Sequence, residues 1–394
     1  MIETRQGTAS ASFGAGSRPR WGRLPLGFVG ALMVVATLEW GVVRPRTDLS
    51  AFIAASWGEA ARAVEPGGKA LGAEVLCLGD SQIKGGVLPG VLEARLGRPA
   101  YNLSAIGGQP VLAYHLLRRA LENGARPKAI VIGFYPGLLA SDVSINLRAL
   151  PEALGARACL DLLGDARSRK LAVPLLLRLA LPTFRRRDEI GDLVTATLKG
   201  ERDSPDRIKA RAYRRNWNQH SGAQVLAPNP TFIDDVVAPP GEPGAPANAA
   251  GIRWKPKPVH LAYLRRLLKL ARSREIAVFW VLPTNSPKLR ALRAGNGLDN
   301  AYYGMLQTVQ LEFGSMTVLD PVHVISDPTI FSDACHLDRG GAMMLSSAVA
   351  RVLAERLARS TYRDAQARQV VLEVDHRGTV IADKLMLEDL NESM

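Results

Sequence analysis

The stretch VLCLGDSQIKGG, Val75 to Gly86, decides how the fold is read. Its first five residues are apolar or glycine without alternation, the pattern of a strand buried on both faces. Asp80 and Ser81 then interrupt the run, and Gly85 and Gly86 keep the following backbone adaptable. A strand that stops at Gly-Asp-Ser presents a hydroxyl at the carboxyl edge of a sheet, where open α/β folds place their ligands. The same letters also make a plain strand-to-helix turn in which Asp80 or Ser81 caps backbone donors. The rest of the chain has to separate the two.

Outward from this stretch the chain alternates between two periods. Strands are expected at 74–80, at 99–104 (PAYNLS) and at 128–135 (KAIVIGFY). Between them, Leu88, Val91, Leu92 and Leu96 mark one helical face that Gly97 stops. Pro110 opens a second helix through Leu112, Leu116, Leu117 and Leu121, closed by Asn123-Gly124. Three βα repeats with short connections predict an α/β fold with a parallel, doubly wound sheet. The alternation then stops after residue 135, for about 120 residues, and returns with a helix over 257–273. Strands at 276–283 and 316–320 and a last helix from Arg339 to Leu357 complete it.

The interruption reads as an insertion at about 140–255. Within it, LAVPLLLRLALPTF (171–184) is too short to cross a bilayer and is broken by prolines. It is a buried cap helix or an interfacial one, with Arg185, Arg186 and Arg187 beside it. Residues 227–251, rich in Pro, Gly and Ala, read as an irregular surface loop. Residues 44–70 read as a linker with one short helix. The tail at 361–394 holds RQVVLEVDHRGTVI (368–381), expected to form a small hairpin turning at His376–Gly378.

The chain has 394 residues, 47% hydrophobic, enough for one large domain or two modest ones. Cys77, Cys159 and Cys335 are too few and too scattered for a disulfide scaffold or a zinc site. A formal charge of +13 suggests an anionic neighbour. Apart from a concentration between Arg167 and Arg215 the basic residues are dispersed, and no nucleic-acid-binding signature accompanies them, so nucleic acid is not expected.

Residues 1–23 are polar and carry Arg5, Arg18, Arg20 and Arg23. LPLGFVGALMVVATLEWGVV (24–43) follows, interrupted by Glu39 alone. Twenty helical residues cover roughly 30 Å, one hydrocarbon core. Four arginines precede the segment against Arg44 and Arg46 after it, which favours a cytoplasmic N-terminus. No clean small-residue cleavage site follows, so a single-pass, uncleaved inner-membrane anchor is expected, with the remainder periplasmic.

A serine hydroxyl becomes a nucleophile only with a base to take its proton. Of six histidines one stands out: FSDACHLDRGGAMMLS places Asp333 three residues before His336, ahead of the last helix. On a turn these two share one side, so the carboxylate can hold one ring nitrogen and leave the other facing Ser81. Taken singly, Asp333 also reads as a helix cap and His336 as a surface residue.

Together, GDS after the first strand, NLSAIGG after the second and SDACHL before the last helix resemble the SGNH (GDSL-type) hydrolases. The resemblance covers most of 74–135 and 275–358. It implies a flavodoxin-like, three-layer catalytic domain over 71–360, with Ser81 as nucleophile, His336 as general base and Asp333 as its orienting acid. Gly107, in an Asn-x-x-x-x-Gly pattern from Asn102, matches the glycine whose N–H helps bind the oxyanion. It implies neither a cofactor nor a metal. One block departs: where the family carries an asparagine after the third strand, this chain reads GFYPG (133–137). Gln109, Asn102 or backbone amides at Gly107 and Gly108 are then the candidate donors.

With its anchor, the chain resembles membrane-bound SGNH-like proteins that acylate cell-surface polymers, such as those of alginate O-acetylation and teichoic acid D-alanylation. The implied partners are an acyl-ester donor, a carbohydrate polymer and a membrane-embedded acyltransferase. Three readings stay open: an acyltransferase acting through an acyl-serine, an esterase with the same triad, and a non-catalytic polysaccharide-binding or assembly protein.

Overall fold

The computed structural model describes residues 26–37, 52–201, 204–234, 254–295, 297–314, 316–358, 368–374 and 380–385. The chain divides into two units, Met1–Thr47 and Asp48–Met394. The first holds helix α1 (Leu26–Thr37), twelve residues without a charged side chain. The rest of the expected 24–43 anchor, and the 1–23 tail, lie outside the described residues. Among the described residues no helix is long and apolar enough to cross a membrane.

The second unit begins with α2 (Phe52–Arg62), followed by β1 (Val75–Gly79), α3 (Ser81–Gly86) and α4 (Pro89–Leu96). Next come β2 (Ala100–Asn102), α5 (Pro110–Glu122), β3 (Ala129–Gly133) and α6 (Pro136–Ala140). The insertion supplies α7 (Leu150–Ala166), α8 (Arg169–Ala180), α9 (Pro182–Arg185), α10 (Arg187–Leu198) and α11 (Pro205–Gln219). After it come α12 (Pro258–Ser273), β4 (Ala277–Val281), α13 (Pro287–Gly295), α14 (Leu298–Phe313) and β5 (Met316–Asp320). A small antiparallel pair, β6 (Phe331–Asp333) and β7 (His336–Leu337), leads into α15 (Arg339–Ala358). The chain closes on β8 (Arg368–Val374) and β9 (Val380–Leu385).

Strands β1 to β5 are parallel in the order 2-1-3-4-5, one of the two common doubly wound arrangements. The unbroken apolar run of β1 follows from burial on both sides. Leu76 and Leu78 face a core shared with α5, α12 and α14, while Val75 and Cys77 face one shared with α4 and α15. Local signals set the helix ends as read: Gly97 caps α4 with φ 63°, and Asn123 ends α5. Sheet order reverses between β1 and β3, which opens a crevice at their carboxyl ends.

Two segments differ from their sequence reading. The 44–70 stretch is no mere linker, because α2 buries Trp57, Ala60 and Ala61 in the core that also takes Leu154 of α7 and Trp217 of α11. The insertion is packed into the same body. Its α7, α8 and α11 contribute Ala158, Leu162, Leu171, Leu175 and Tyr213 to that core. Past α11 the chain runs beside the edge strand: Asn102 N–H donates to Ser221 O, Gln224 N–H to Lys84 O and Arg339 N–H to Leu226 O. This cover blunts an open strand edge. The 368–381 hairpin forms as β8 and β9, but β8 also pairs in parallel with β5 and so extends the main sheet. The expected turn at His376–Gly378 lies outside the described residues, as does most of the 227–251 loop.

Candidate active site

Ser81 is the first residue of α3, directly after β1 at the switch-point edge. Asp80 caps that helix: its carboxylate accepts from Gln82 N–H at 2.9 Å and, across the crevice, from Tyr135 N–H at 2.5 Å. Asp80 therefore buckles the end of β1 to the end of β3. Burial pushes its carboxyl up to about 6, partly offset by those two N–H groups. The two strands approach closely here; a Cβ on Gly79 would lie 2.3 Å from Gly133 O. This packing is why the strand must end in glycine.

The β6–β7 turn builds the other half. Asp333 accepts from the N–H groups of Cys335 (2.8 Å) and His336 (2.9 Å), and its second oxygen lies 2.8 Å from His336 Nδ1. His336 Nε2 lies 2.8 Å from Ser81 Oγ. With Nδ1–H held by the carboxylate, Nε2 is left as the acceptor for the serine hydroxyl. Burial on its own would lower the imidazole, yet the Asp333 bond and charge, with Asp80 behind, raise it above its ordinary value. Burial likewise works against the Asp333 carboxylate, and the contacts to His336 and two N–H groups bring it below the usual range. His115 and His260 behave oppositely: burial drops both to about 4, which keeps them neutral.

The loop after β2 carries Gly107 and Gly108, and Asn102 and Gln109, the other residues named as oxyanion donors, stand at its two ends. Gly107 sits at φ 64°, a conformation that favours glycine. The loop is pinned on both sides of it. Ile106 N–H donates to Ser56 Oγ and Ile106 O accepts from Trp57 Nε1, both from α2, while Asn146 Nδ2 of the insertion donates to Gly107 O at 2.8 Å. Ser81, opening its helix, has an N–H without a carbonyl to meet inside that helix.

The other three named residues hold the scaffold. Gly108 N–H donates to Ala105 O. Asn102 Nδ2 donates to Ile83 O and Val87 O, and its Oδ1 accepts from Ser104 N–H. Both amide hydrogens are thus committed to α3 and its C-cap. Gln109 Nε2 faces Ser141 Oγ (3.3 Å), Asp142 O (3.5 Å) and His260 Nε2 (3.5 Å), in the insertion and α12. In place of the missing asparagine, the GFYPG segment offers Tyr135 N–H to Asp80 and Phe134 O to Tyr302 Oη.

Four supporting residues went unread in the sequence: Gln82, Lys84, Asn146 and Ser56. Gln82 Nε2 lies 3.1–3.3 Å from Thr284 O, Cys335 O and Asn285 Oδ1, tying the serine helix to the histidine turn. Lys84 is fully buried; Nζ donates to Ser104 O (2.7 Å) and Gly222 O (2.6 Å) and lies 3.4 Å from the Trp217 ring centre. Desolvation pushes its pKa well below the usual lysine value. A lone lysine on an otherwise small and apolar helix face was the available signal. Asn146 carried none. Among the described residues no group of three or more His, Cys, Asp or Glu side chains stands together as a metal site.

Comparison with protein-family models gives no match, and no curated protein matches the chain.

Proposed function

We propose that this protein is a membrane-anchored, SGNH-like serine acyl-transfer enzyme of flavodoxin-like architecture that acts outside the cytoplasm on a cell-surface polysaccharide. The observation that carries this reading is the continuous Asp333–His336–Ser81 hydrogen-bonded chain, 2.8 Å at each step, assembled at the switch-point edge. Ser81 Oγ attacks the acyl carbonyl carbon of an ester donor while His336 Nε2 takes the serine proton. The proton then passes to the departing oxygen and leaves an acyl-serine. A sugar hydroxyl next gives its proton to His336, attacks the acyl carbon and releases Ser81, which regains the proton. The N–H groups of Ser81 and Gly107 receive the charge that builds on the carbonyl oxygen. Asp333 holds the imidazole in the required tautomer.

The preformed serine–histidine contact favours catalysis over a purely assembling role. Transfer and hydrolysis share the acyl-serine and differ in the second acceptor, water or carbohydrate. The test is to incubate the protein with an activated acetyl ester and weigh it. A mass increment of one acetyl group that is absent in Ser81→Ala supports the reading. Chasing the labelled protein with oligosaccharide or buffer then identifies the acceptor. An intact protein that takes no acyl group from any small ester, yet binds polysaccharide, overturns it in favour of the assembly role.

A further inference from the structure

Between Arg167 and Arg215 the sequence carries fourteen Lys and Arg against six Asp and Glu, most of the net charge of the whole chain. This segment forms α8 to α11, and two of its helices turn apolar side chains outward. On α8, Arg169, Lys170, Val173, Leu176, Leu177 and Ala180 are all exposed. At 3.6 residues per turn they fall within an arc of roughly 120°. The opposite face, Leu171, Leu175 and Arg178, is the buried one. Burial therefore satisfies one apolar stripe of α8 and leaves a second in solvent, with Val173 63% exposed.

The apolar half of this pattern recurs on α10. Arg187, Val194 and Leu198 lie on one exposed stripe, with Leu198 83% exposed, while Ala196 on the far side is buried. Single exposed leucines are ordinary; two helices close in sequence that both expose an aliphatic stripe are not, and α8 supplies the cations, since α10 sets Asp188, Glu189 and Asp192 against Arg187. The placement of Arg169 and Lys170 makes the point sharper. They occupy the first turn of α8, which has no acidic residue, and there they oppose the positive end of the helix dipole. The helix gains nothing from them, so their role lies outside it.

We infer that the exposed stripes of α8 and α10 dock the insertion on the surface of an anionic phospholipid bilayer. The aliphatic stripes enter the headgroup–acyl boundary, and Arg169 and Lys170 meet the lipid phosphates. An exposed apolar stripe flanked by Lys and Arg is the pattern of an interfacial helix. The positive charge selects a lipid surface over a neutral protein groove. This docking does not rest on the chemistry of Ser81; it fixes how the catalytic domain stands against the membrane.

The test uses the full chain reconstituted into vesicles of phosphatidylethanolamine and phosphatidylglycerol or of phosphatidylcholine alone. Cys77 and Cys159 are buried, so a Cys335→Ser background leaves one reactive thiol in each of Leu176→Cys, Leu198→Cys and Leu311→Cys. Leu311, on α14, is as exposed as Leu198 and serves as the off-face control. An environment-sensitive fluorophore at 176 and 198 is expected to shift to the blue and be quenched by lipid-borne quenchers in the phosphatidylglycerol vesicles. At 311 it should do neither. Arg169→Gln/Lys170→Gln is expected to lower the docking equilibrium roughly 30-fold, at about 1 kcal/mol per basic residue near an anionic surface. Equal quenching at 176 and 311 overturns the inference. So does a blue shift that needs only higher protein concentration, which would assign the face to a second copy. Both outcomes are independent of whether Ser81 takes an acyl group.

Discussion

Replacing Asn146 by alanine asks whether the insertion takes part in catalysis. Asn146 is 5% exposed and its Nδ2 donates to Gly107 O at 2.8 Å. Removing it leaves a half-buried carbonyl without that partner, a cost of about 1–3 kcal/mol in stability. In a domain this large that lowers the melting temperature by only a few degrees. The kinetic effect is expected to be larger. An oxyanion donor that is lost outright costs roughly 10²–10³ in turnover. Here Gly107 is loosened rather than removed, because Ile106 stays pinned to Ser56 and Trp57. A fall of about 10–100-fold in kcat, or 1.4–2.8 kcal/mol of transition-state stabilisation, is therefore expected. KM should hardly move, since the contact strengthens only as charge develops. Asn146→Asp should be at least as damaging, because it turns an acceptor toward the Gly107 carbonyl. The assay is hydrolysis of an activated acetyl ester, with acylation of Ser81 followed by mass and folding by circular dichroism. A folded Asn146→Ala protein with unchanged kcat would refute the assignment of Gly107 to the oxyanion site.

The activity should rise with pH as His336 loses its proton, with the midpoint above the ordinary imidazole value of 6.5 because Asp333 raises it. Asp333→Asn removes the raising contact and leaves burial, so the limb of the kcat/KM profile should move to lower pH while turnover falls roughly 10³–10⁴-fold; an unmoved limb would contradict the pairing. Gln109→Ala should cost stability by stripping a partner from Ser141 and His260 but change turnover less than tenfold; a loss of 10² or more would return Gln109 to the oxyanion site. A reporter that works only outside the cytoplasm, fused after Arg46, should be active; a cytoplasmic signal would overturn the anchor.

Much of the frame was legible because local chemistry specifies it. Strand β1 announces itself by an apolar run that only two-sided burial permits, and α4 and α5 end where Gly97 and Asn123-Gly124 end them. The Asp333–His336 pair was legible because both sit on one four-residue turn. What failed to show were contacts whose partners lie far along the chain. Asn102 looks like an oxyanion residue by motif, yet both its amide hydrogens go to the turn after Ser81. The polarity of Gln109 gives no hint that it faces His260, 151 residues away. Trp57 reads as part of a linker until Ile106 O, accepting its indole N–H, makes it a prop for the loop after β2. The hairpin at the end of the chain was visible in its alternation, but its docking on β5 was not, because any open edge offers the same unpaired groups.

The Ser81–His336 contact spans 255 positions. As the polypeptide emerges from the ribosome, the proposed nucleophile appears early and the proposed base near the end. Until residue 336 is made and β7 has folded against α3, the serine is an ordinary alcohol without a base to take its proton. The distance therefore acts as a timer. On the proposed chemistry a nascent or truncated chain cannot acylate itself or its surroundings, and reactivity would switch on only once nearly the whole domain exists to direct it.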